Sequence, residues 1–160
     1  MKKIILGSIV LSMSLLFATP AFSHCEIPCG IYGDEMRFDM LEEHITTIEK
    51  CMKMVVLLSK EKDENYNQIV RWVNNKEKHA NYVQHIVYQY FMTQRVKPVD
   101  EKNTKKYKKY VKQITLLHQM LVYAMKAKQT TDLANVEKLR SLLASFRTVY
   151  FVFGGKKHSH

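Results

Sequence analysis

Residues 102–128 read KNTKKYKKYVKQITLLHQMLVYAMKAK, and the apolar side chains of this stretch recur at intervals of three and four residues. Such spacing places them on one face of an α-helix. No Pro or Gly interrupts the stretch, so it predicts one long amphipathic helix. The apolar face consists of Tyr107, Tyr110, Val111, Ile114, Leu117, Leu121 and Met125.

The same spacing recurs on both sides of this stretch, over residues 34–61, over residues 64–94, and from the QTTD sequence to about residue 153. The YFVF sequence at 150–153 would also suit a strand, but the period of the preceding residues favours a helix. Four amphipathic helices joined by short breaks predict an all-α fold, an antiparallel four-helix bundle.

The breaks between these segments have recognisable causes. Pro98 cannot continue a helix, and it separates the second segment from the third. Gly154 and Gly155 follow the fourth segment and end it. The candidates for the N-cap of the fourth helix are Thr130, Thr131 and Asp132.

The length and charge of the chain indicate how many domains it has and which partners to expect. The 160 residues suit a single compact domain, and the formal net charge is +10. A solvated surface explains such a charge, as does steering of a small anion. The lysines are scattered along the helical segments, with one local cluster, KNTKKYKKYVK, at 102–112. No RNA-binding or helix-turn-helix signature is present, so nucleic acid is not an expected partner.

The N-terminus has the three parts of a secretory signal peptide. Lys2 and Lys3 form the basic start, and an apolar run extends from Ile4 to Ala18. The run is too short for a membrane anchor, and small residues before position 24 predict cleavage after Ser23. The expected domains are therefore a removed signal peptide, 1–23, and a mature domain, 24–160, that is exported and keeps no stable association with the membrane.

The mature chain would begin with HCEIPCGIY, residues 24–32. His24 offers a free amine and an imidazole, and Cys25 offers a backbone amide nitrogen and a thiolate. Pro28 bends the chain and returns Cys29 as a second thiolate, while Gly30 leaves room for the turn. A planar set of two nitrogens and two sulfurs favours nickel(II) or copper(II) over zinc, which prefers a tetrahedron.

The three cysteines leave another possibility open. Cys25 and Cys29 could instead form a local disulfide in an oxidising compartment, which would make the chain a structural or interaction bundle. Cys51 lies in a helical pattern, and we expect it to be a buried small hydrophobic residue.

The HCEIPCGIY sequence resembles the nickel hook of the nickel-containing superoxide dismutase family, His-Cys-x-x-Pro-Cys-Gly-x-Tyr, at every fixed position. The resemblance covers nearly all of the mature chain, because that family folds as a small four-helix bundle. It implies nickel ligands at His24, Cys25 and Cys29, with one nickel ion per subunit. It also implies that Tyr32 lies beside the open face of the metal, where it orders water and limits access.

The resemblance implies further features of the site and the assembly. A glutamate of the first helix would brace the histidine ligand, with Glu42 and Glu43 as candidates. The family's bracing arginine has no secure match, although His79 falls near its place. The family assembles as a homohexamer, and Tyr88, Tyr90 and Phe91 would suit a subunit contact, with core packing as the simpler explanation.

The resemblance implies an oxidoreductase that disproportionates superoxide to oxygen and hydrogen peroxide through a nickel(II)/nickel(III) cycle, in the periplasm or outside the cell. A periplasmic nickel or copper carrier that uses the same hook without turnover is the alternative. The helical segments add no ligand set of their own. Their histidines have no shared spacing and are expected at the surface or in internal hydrogen bonds: His44, His79, His85 and His118.

Overall fold

The computed structural model describes residues 33–61 and 65–152, and these residues form four α-helices and no strand. The second helix continues directly into a π-helical segment, π1, which is Ile86–Arg95. The prediction of an all-α fold is confirmed. The helices are α1 (Asp34–Leu58), α2 (Tyr66–His85), α3 (Thr104–Gln129) and α4 (Ala134–Val152).

The helices form an antiparallel bundle in which α1 packs on α2 and α4, and α3 packs on the same two helices. The direction follows from side-chain contacts. The first residue of α1, Asp34, meets Tyr90 in π1, whereas Cys51, late in α1, meets Asn75, early in α2. Each helix therefore runs opposite to its two neighbours, as the short connections predict.

The core lies between the apolar faces of the four helices. In α3 the predicted face was partly wrong: Leu117 is buried, but Val111 and Met125 are exposed. The buried face of α3 instead includes Met120, Ala124 and Ala127.

Phe38, Phe91 and Phe146 are fully buried, and their ring centroids lie 5.0–5.5 Å apart. Aromatic pairs in tilted arrangements at such distances stabilise a core beyond the apolar area that they bury. This aromatic cluster occupies the end of the bundle at which α1 begins.

Short polar side chains mark three helix starts. Asn65 accepts a hydrogen bond from the amide of Gln68, and Asn103 accepts one from the amide of Lys106. Asp132, one of the predicted cap candidates, accepts one from the amide of Ala134 at 2.9 Å. Each bond satisfies an amide that would otherwise lack a partner in the first turn.

The π1 segment widens the helix after His85, and the sequence pattern did not predict it. The amide of Val96 donates to the carbonyl of Phe91, five residues back, at 2.8 Å. The Thr93 hydroxyl donates to the carbonyl of Tyr88, which is also five residues back. The wider turn buries Ile86, Val87, Tyr90 and Phe91 together on one side.

Lys76 of α2 is buried, which is unusual for a lysine. Its ammonium donates to the carbonyls of Lys128 and Thr130, at 2.8 and 2.9 Å. These carbonyls belong to the end of α3, where helix carbonyls lack partners. Lys76 therefore ties α2 to the end of α3, and burial lowers the pKa of its ammonium.

None of the helices in residues 33–61 and 65–152 is both long and apolar enough to cross a bilayer. The predicted signal peptide and the C-terminal GGKKHSH sequence lie outside these residues.

Candidate metal centre

The four predicted site residues, His24, Cys25, Cys29 and Tyr32, all lie outside the described residues. Tyr32 directly precedes Gly33, the first described residue, so the described structure begins where the predicted hook ends. The start of α1 is the point at which the predicted hook joins the bundle.

Helix α1 begins immediately after the hook, without a linker. Gly33 is the N-cap in an extended conformation, and no side chain caps this end. Asp34 and Glu35 place two negative charges in the first turn. Negative charge is favourable at this end of a helix, because the unpaired amides carry partial positive charge. The hook is thus joined to a helix end with favourable electrostatics.

Asp34 is held by side chains from two distant parts of the chain. Its Oδ1 accepts a hydrogen bond from the Tyr90 hydroxyl at 2.6 Å, and its Oδ2 accepts one from the Tyr150 hydroxyl at 2.8 Å. The Arg95 guanidinium lies 2.9 Å from Oδ1 and also donates to the Tyr90 hydroxyl at 2.8 Å. We call these four residues the Asp34 network.

The Asp34 network is largely removed from water. Tyr90 and Tyr150 are buried, and only 11% of the Asp34 side chain is exposed. Burial and then the hydrogen bond to Asp34 raise the pKa of both tyrosine hydroxyls, so both remain donors near neutral pH. A buried carboxylate is stable only when it is well partnered, and here two hydroxyls and a guanidinium serve that purpose.

The network fixes the first residue of α1 against π1 and α4. Sequence reasoning missed this arrangement, because its members lie 56 and 116 residues from Asp34. The only available signal was the position of Asp34, an acidic residue two places after the last residue of the hook. Phe38, one turn further along α1, packs its ring 5.6 Å from that of Tyr150 and extends the same anchor.

Of the two glutamates considered as braces, Glu42 has a partner in the bundle. It accepts a hydrogen bond from Arg140 of α4 at 2.8 Å, and Arg140 also contacts Glu49 at 3.0 Å. Glu43 is exposed. Glu42 therefore contributes to the contact between α1 and α4, and the bracing role of either residue stays a prediction.

Two of the predicted isolated histidines are brought together. His44 of α1 and His79 of α2 lie with their Nδ1 atoms 3.1 Å apart. His85 instead contacts the Tyr88 hydroxyl at 3.1 Å, and His118 is exposed. The expectation of internal or surface histidines is confirmed, but the pairing across two helices was not predicted.

Within residues 33–61 and 65–152 there is no group of three or more His, Cys, Asp or Glu side chains that could hold a metal ion. Cys51 is fully buried, as expected, and accepts a hydrogen bond from Asn75 at 3.4 Å. Burial raises the pKa of its thiol, which disfavours the thiolate that metals bind.

A comparison with family models supplies the decisive observation. The model for nickel-containing superoxide dismutase matches residues 19–153, which include the hook and all four helices. The chain belongs to the nickel-containing superoxide dismutase family. Searches of curated proteins and of solved structures give no match.

The family establishes the activity. The protein is a nickel superoxide dismutase, an oxidoreductase that acts on superoxide and uses a nickel cofactor. Nothing in the comparison supports the carrier without turnover. The residues of the predicted hook would suit this metal, because one histidine and two cysteines offer the nitrogen and sulfur donors that nickel accepts.

Proposed function

We propose that the dismutase activity of this chain resides in the hook, with His24, Cys25 and Cys29 as the nickel ligands and Tyr32 beside the metal. The observation that carries the proposal is the complete His-Cys-x-x-Pro-Cys-Gly-x-Tyr motif at 24–32, inside the range that the family model matches.

Nickel held by these residues supplies a centre that accepts and donates one electron. The thiolates of Cys25 and Cys29 and the deprotonated amide of Cys25 donate electron density, which favours the higher oxidation state. The overall reaction converts two superoxide anions and two protons to one oxygen molecule and one hydrogen peroxide molecule. Tyr32 restricts access at the metal and orders water there.

The Asp34 network supports the hook from the bundle side. Tyr32 is two residues from Asp34, and the position of Asp34 is determined by Tyr90, Arg95 and Tyr150. A rigid anchor at this distance limits the conformations of the adjoining segment, and preorganised ligands bind a metal more tightly than mobile ones.

The direct test is replacement of the two thiolates. Cys25→Ser and Cys29→Ser should each lose bound nickel and dismutase activity, measured by metal analysis and a superoxide assay. Circular dichroism should show unchanged helix content, because the buried core lies in the four helices. Cys51→Ala is the matched control and should keep both nickel and activity. Full dismutase activity in either Ser variant would exclude the hook as the metal centre.

Export of the chain would remove residues 1–23. Removal of residues 1–23 frees the amine of His24, so the signal peptide serves both transport and creation of a metal ligand. The mature domain, 24–160, would then function in the periplasm or outside the cell without a membrane anchor. Mass spectrometry of the native protein should give a chain that begins at His24.

Assembly as a homohexamer would cover the hook, which would be a chain end in the mature protein. Of the three side chains considered for the contact, Tyr90 and Phe91 are buried within the subunit and belong to its core. Tyr88 is 46% exposed and is still available to a neighbouring subunit. Light scattering of the native protein should give six times the mass of the mature chain, and an active monomer would contradict the assembly.

A further inference from the structure

His44 and His79 form a pair of imidazoles that the nickel site does not use. The two residues lie on adjacent helices, α1 and α2, and each is half-buried. Their ring centroids are 5.0 Å apart, and the rings are inclined at 71°. Tyr82 packs its ring 5.1 Å from His44 and 5.6 Å from His79, so the three rings form one cluster.

Both imidazoles are neutral near pH 7, which is the charge state in which histidine binds a metal. Burial, followed by the neighbouring His79, lowers the pKa of His44, while Glu43 acts in the opposite direction. Burial, followed by Lys78, lowers the pKa of His79. Both rings are therefore neutral near pH 7, and one Nδ1–H donates to the other Nδ1 across 3.1 Å. A neutral imidazole nitrogen is the commonest protein ligand of transition metals.

The separation of the two nitrogens suits a shared ion. Bonds from imidazole nitrogen to zinc are about 2.0–2.1 Å long, so two nitrogens on one ion are about 3 Å apart at a right angle and about 3.4 Å apart in a tetrahedron. The observed 3.1 Å lies within this range. Because the two Nδ1 atoms now face each other along a hydrogen bond, both rings would have to turn until their lone pairs converge on the ion.

We infer that His44 and His79 form a second metal site, which takes one divalent transition-metal ion of the zinc, nickel or copper class. Binding requires the donor imidazole to carry its proton on Nε2 instead of Nδ1, so no net proton is released. Glu43 adds favourable negative charge nearby, and Lys78 opposes it. The inference does not depend on the proposed ligands of the hook.

The site offers two protein ligands, and water would complete the coordination sphere. The described part of the chain holds no third His, Cys, Asp or Glu in a group with these two. The ion would therefore be exchangeable rather than permanently bound. Because it would connect α1 to α2 in the folded chain only, it should also raise the unfolding temperature.

Titration of the nickel-loaded mature protein with zinc tests the inference. Calorimetry should detect one additional zinc ion per chain. His44→Gln and His79→Gln should each weaken this binding by about tenfold or more, since each removes one of only two protein ligands. His118→Gln removes an exposed histidine of α3 and should leave the binding unchanged. Zinc binding that both paired-histidine variants retain would place the ion elsewhere and overturn the site.

Crystallography of the unmodified protein gives a second measurement that does not rely on the variants folding. Anomalous data collected above and below the zinc edge separate zinc from nickel. A zinc peak about 2.0–2.1 Å from both Nδ1 atoms is expected. A zinc-soaked crystal without such a peak would contradict the inference. The Cys25→Ser protein should still show the peak, because the pair lies outside the hook.

Discussion

At the scale of the residue, Asp34 determines how the start of α1 is held. Its carboxylate accepts two tyrosine hydroxyls and lies against Arg95, with little exposure to water. The negative charge therefore serves as the acceptor for the hydroxyls of Tyr90 and Tyr150 and as the counter-ion of the partly buried Arg95. Loss of that charge should be costly even when the shape of the side chain is kept.

Asp34→Asn should lower the free energy of unfolding by about 1–3 kcal/mol, because one tyrosine hydroxyl loses its acceptor, the other keeps only a neutral one, and Arg95 loses its counter-ion. Urea unfolding followed by circular dichroism measures the change. Asp39→Asn is the matched control, since the Asp39 side chain is 67% exposed on the same helix. An Asp34→Asn protein that unfolds at the same urea concentration as the parent would show that the network does not stabilise the bundle.

Lys76 gives a second residue-scale prediction. Lys76→Met keeps the apolar part of the side chain but leaves the carbonyls of Lys128 and Thr130 without their buried donor. We expect a loss of about 1–3 kcal/mol in stability, partly offset because no charge needs to be buried. Thermal unfolding checks this, with exposed Lys112→Met as the control. A rise in the unfolding temperature would mean that desolvation of the ammonium outweighs its two hydrogen bonds.

At the scale of the element, the hook depends on its free end. The amine of His24 can bind a metal only after Ser23 is removed, because the same nitrogen in a peptide bond is a poor donor. A mature chain with one extra Ala before His24 should therefore keep its helix content and lose dismutase activity. Circular dichroism and a superoxide assay measure the two effects. Full activity of the extended chain would rule out the amine as a ligand.

The helices themselves were predictable from the sequence, and their contacts were not. Apolar spacing depends on neighbours three and four residues away, so it identified four helices and ends close to the observed ones. The π1 segment was not predicted, because its apolar residues continue the spacing of α2. Hydrogen bonds between residues five apart also leave no recognisable pattern of residue types. The contact between His44 and His79 was not predicted for a different reason. Their contact requires the register between two helices, which spacing within one helix does not contain.

The candidate site also has one part that was predictable from the sequence and one part that was not. The hook was identified because all of its fixed residues lie within nine positions, 24–32. The Asp34 network joins residues from α1, π1 and α4, so only the folded chain brings them together. The proposed ligands can be predicted from a motif. The Asp34 network, which holds the helix that follows them, can be recognised only in the three-dimensional structure.

At the scale of the whole molecule, a group of exposed lysines lies at the end of the bundle where α1 begins. The start of α3 follows the end of π1 and therefore lies at the same end of the bundle as Asp34. Its first turns carry no acidic residue. They expose Lys105, Lys106 and Lys108. These lysines, together with the positive end of the helix, should attract superoxide, which is an anion.

The rate constant kcat/KM should accordingly fall several-fold when ionic strength rises from about 0.01 to 0.15 M, because the screening length falls from about 30 to 8 Å. Pulse radiolysis measures this directly. A Lys105→Gln, Lys108→Gln double variant should depend less on salt than the parent. A rate that is independent of salt would show that the surface charge has no role in catalysis.

The contact between Asp34 and Tyr150 has a consequence for the order in which the molecule is completed. Asp34, the first residue of α1, accepts a hydrogen bond from Tyr150 in the last turn of α4, 116 positions away. A chain that emerges from its N-terminus therefore presents the hook first and its anchor last. Until α4 has docked, Asp34 has Tyr90 and Arg95 but not Tyr150 as partners, so the support of the proposed hook would be incomplete. We therefore expect nickel to be held fully only after the C-terminal helix has docked, and a chain that ends before Tyr150 would carry every proposed ligand without complete support for them.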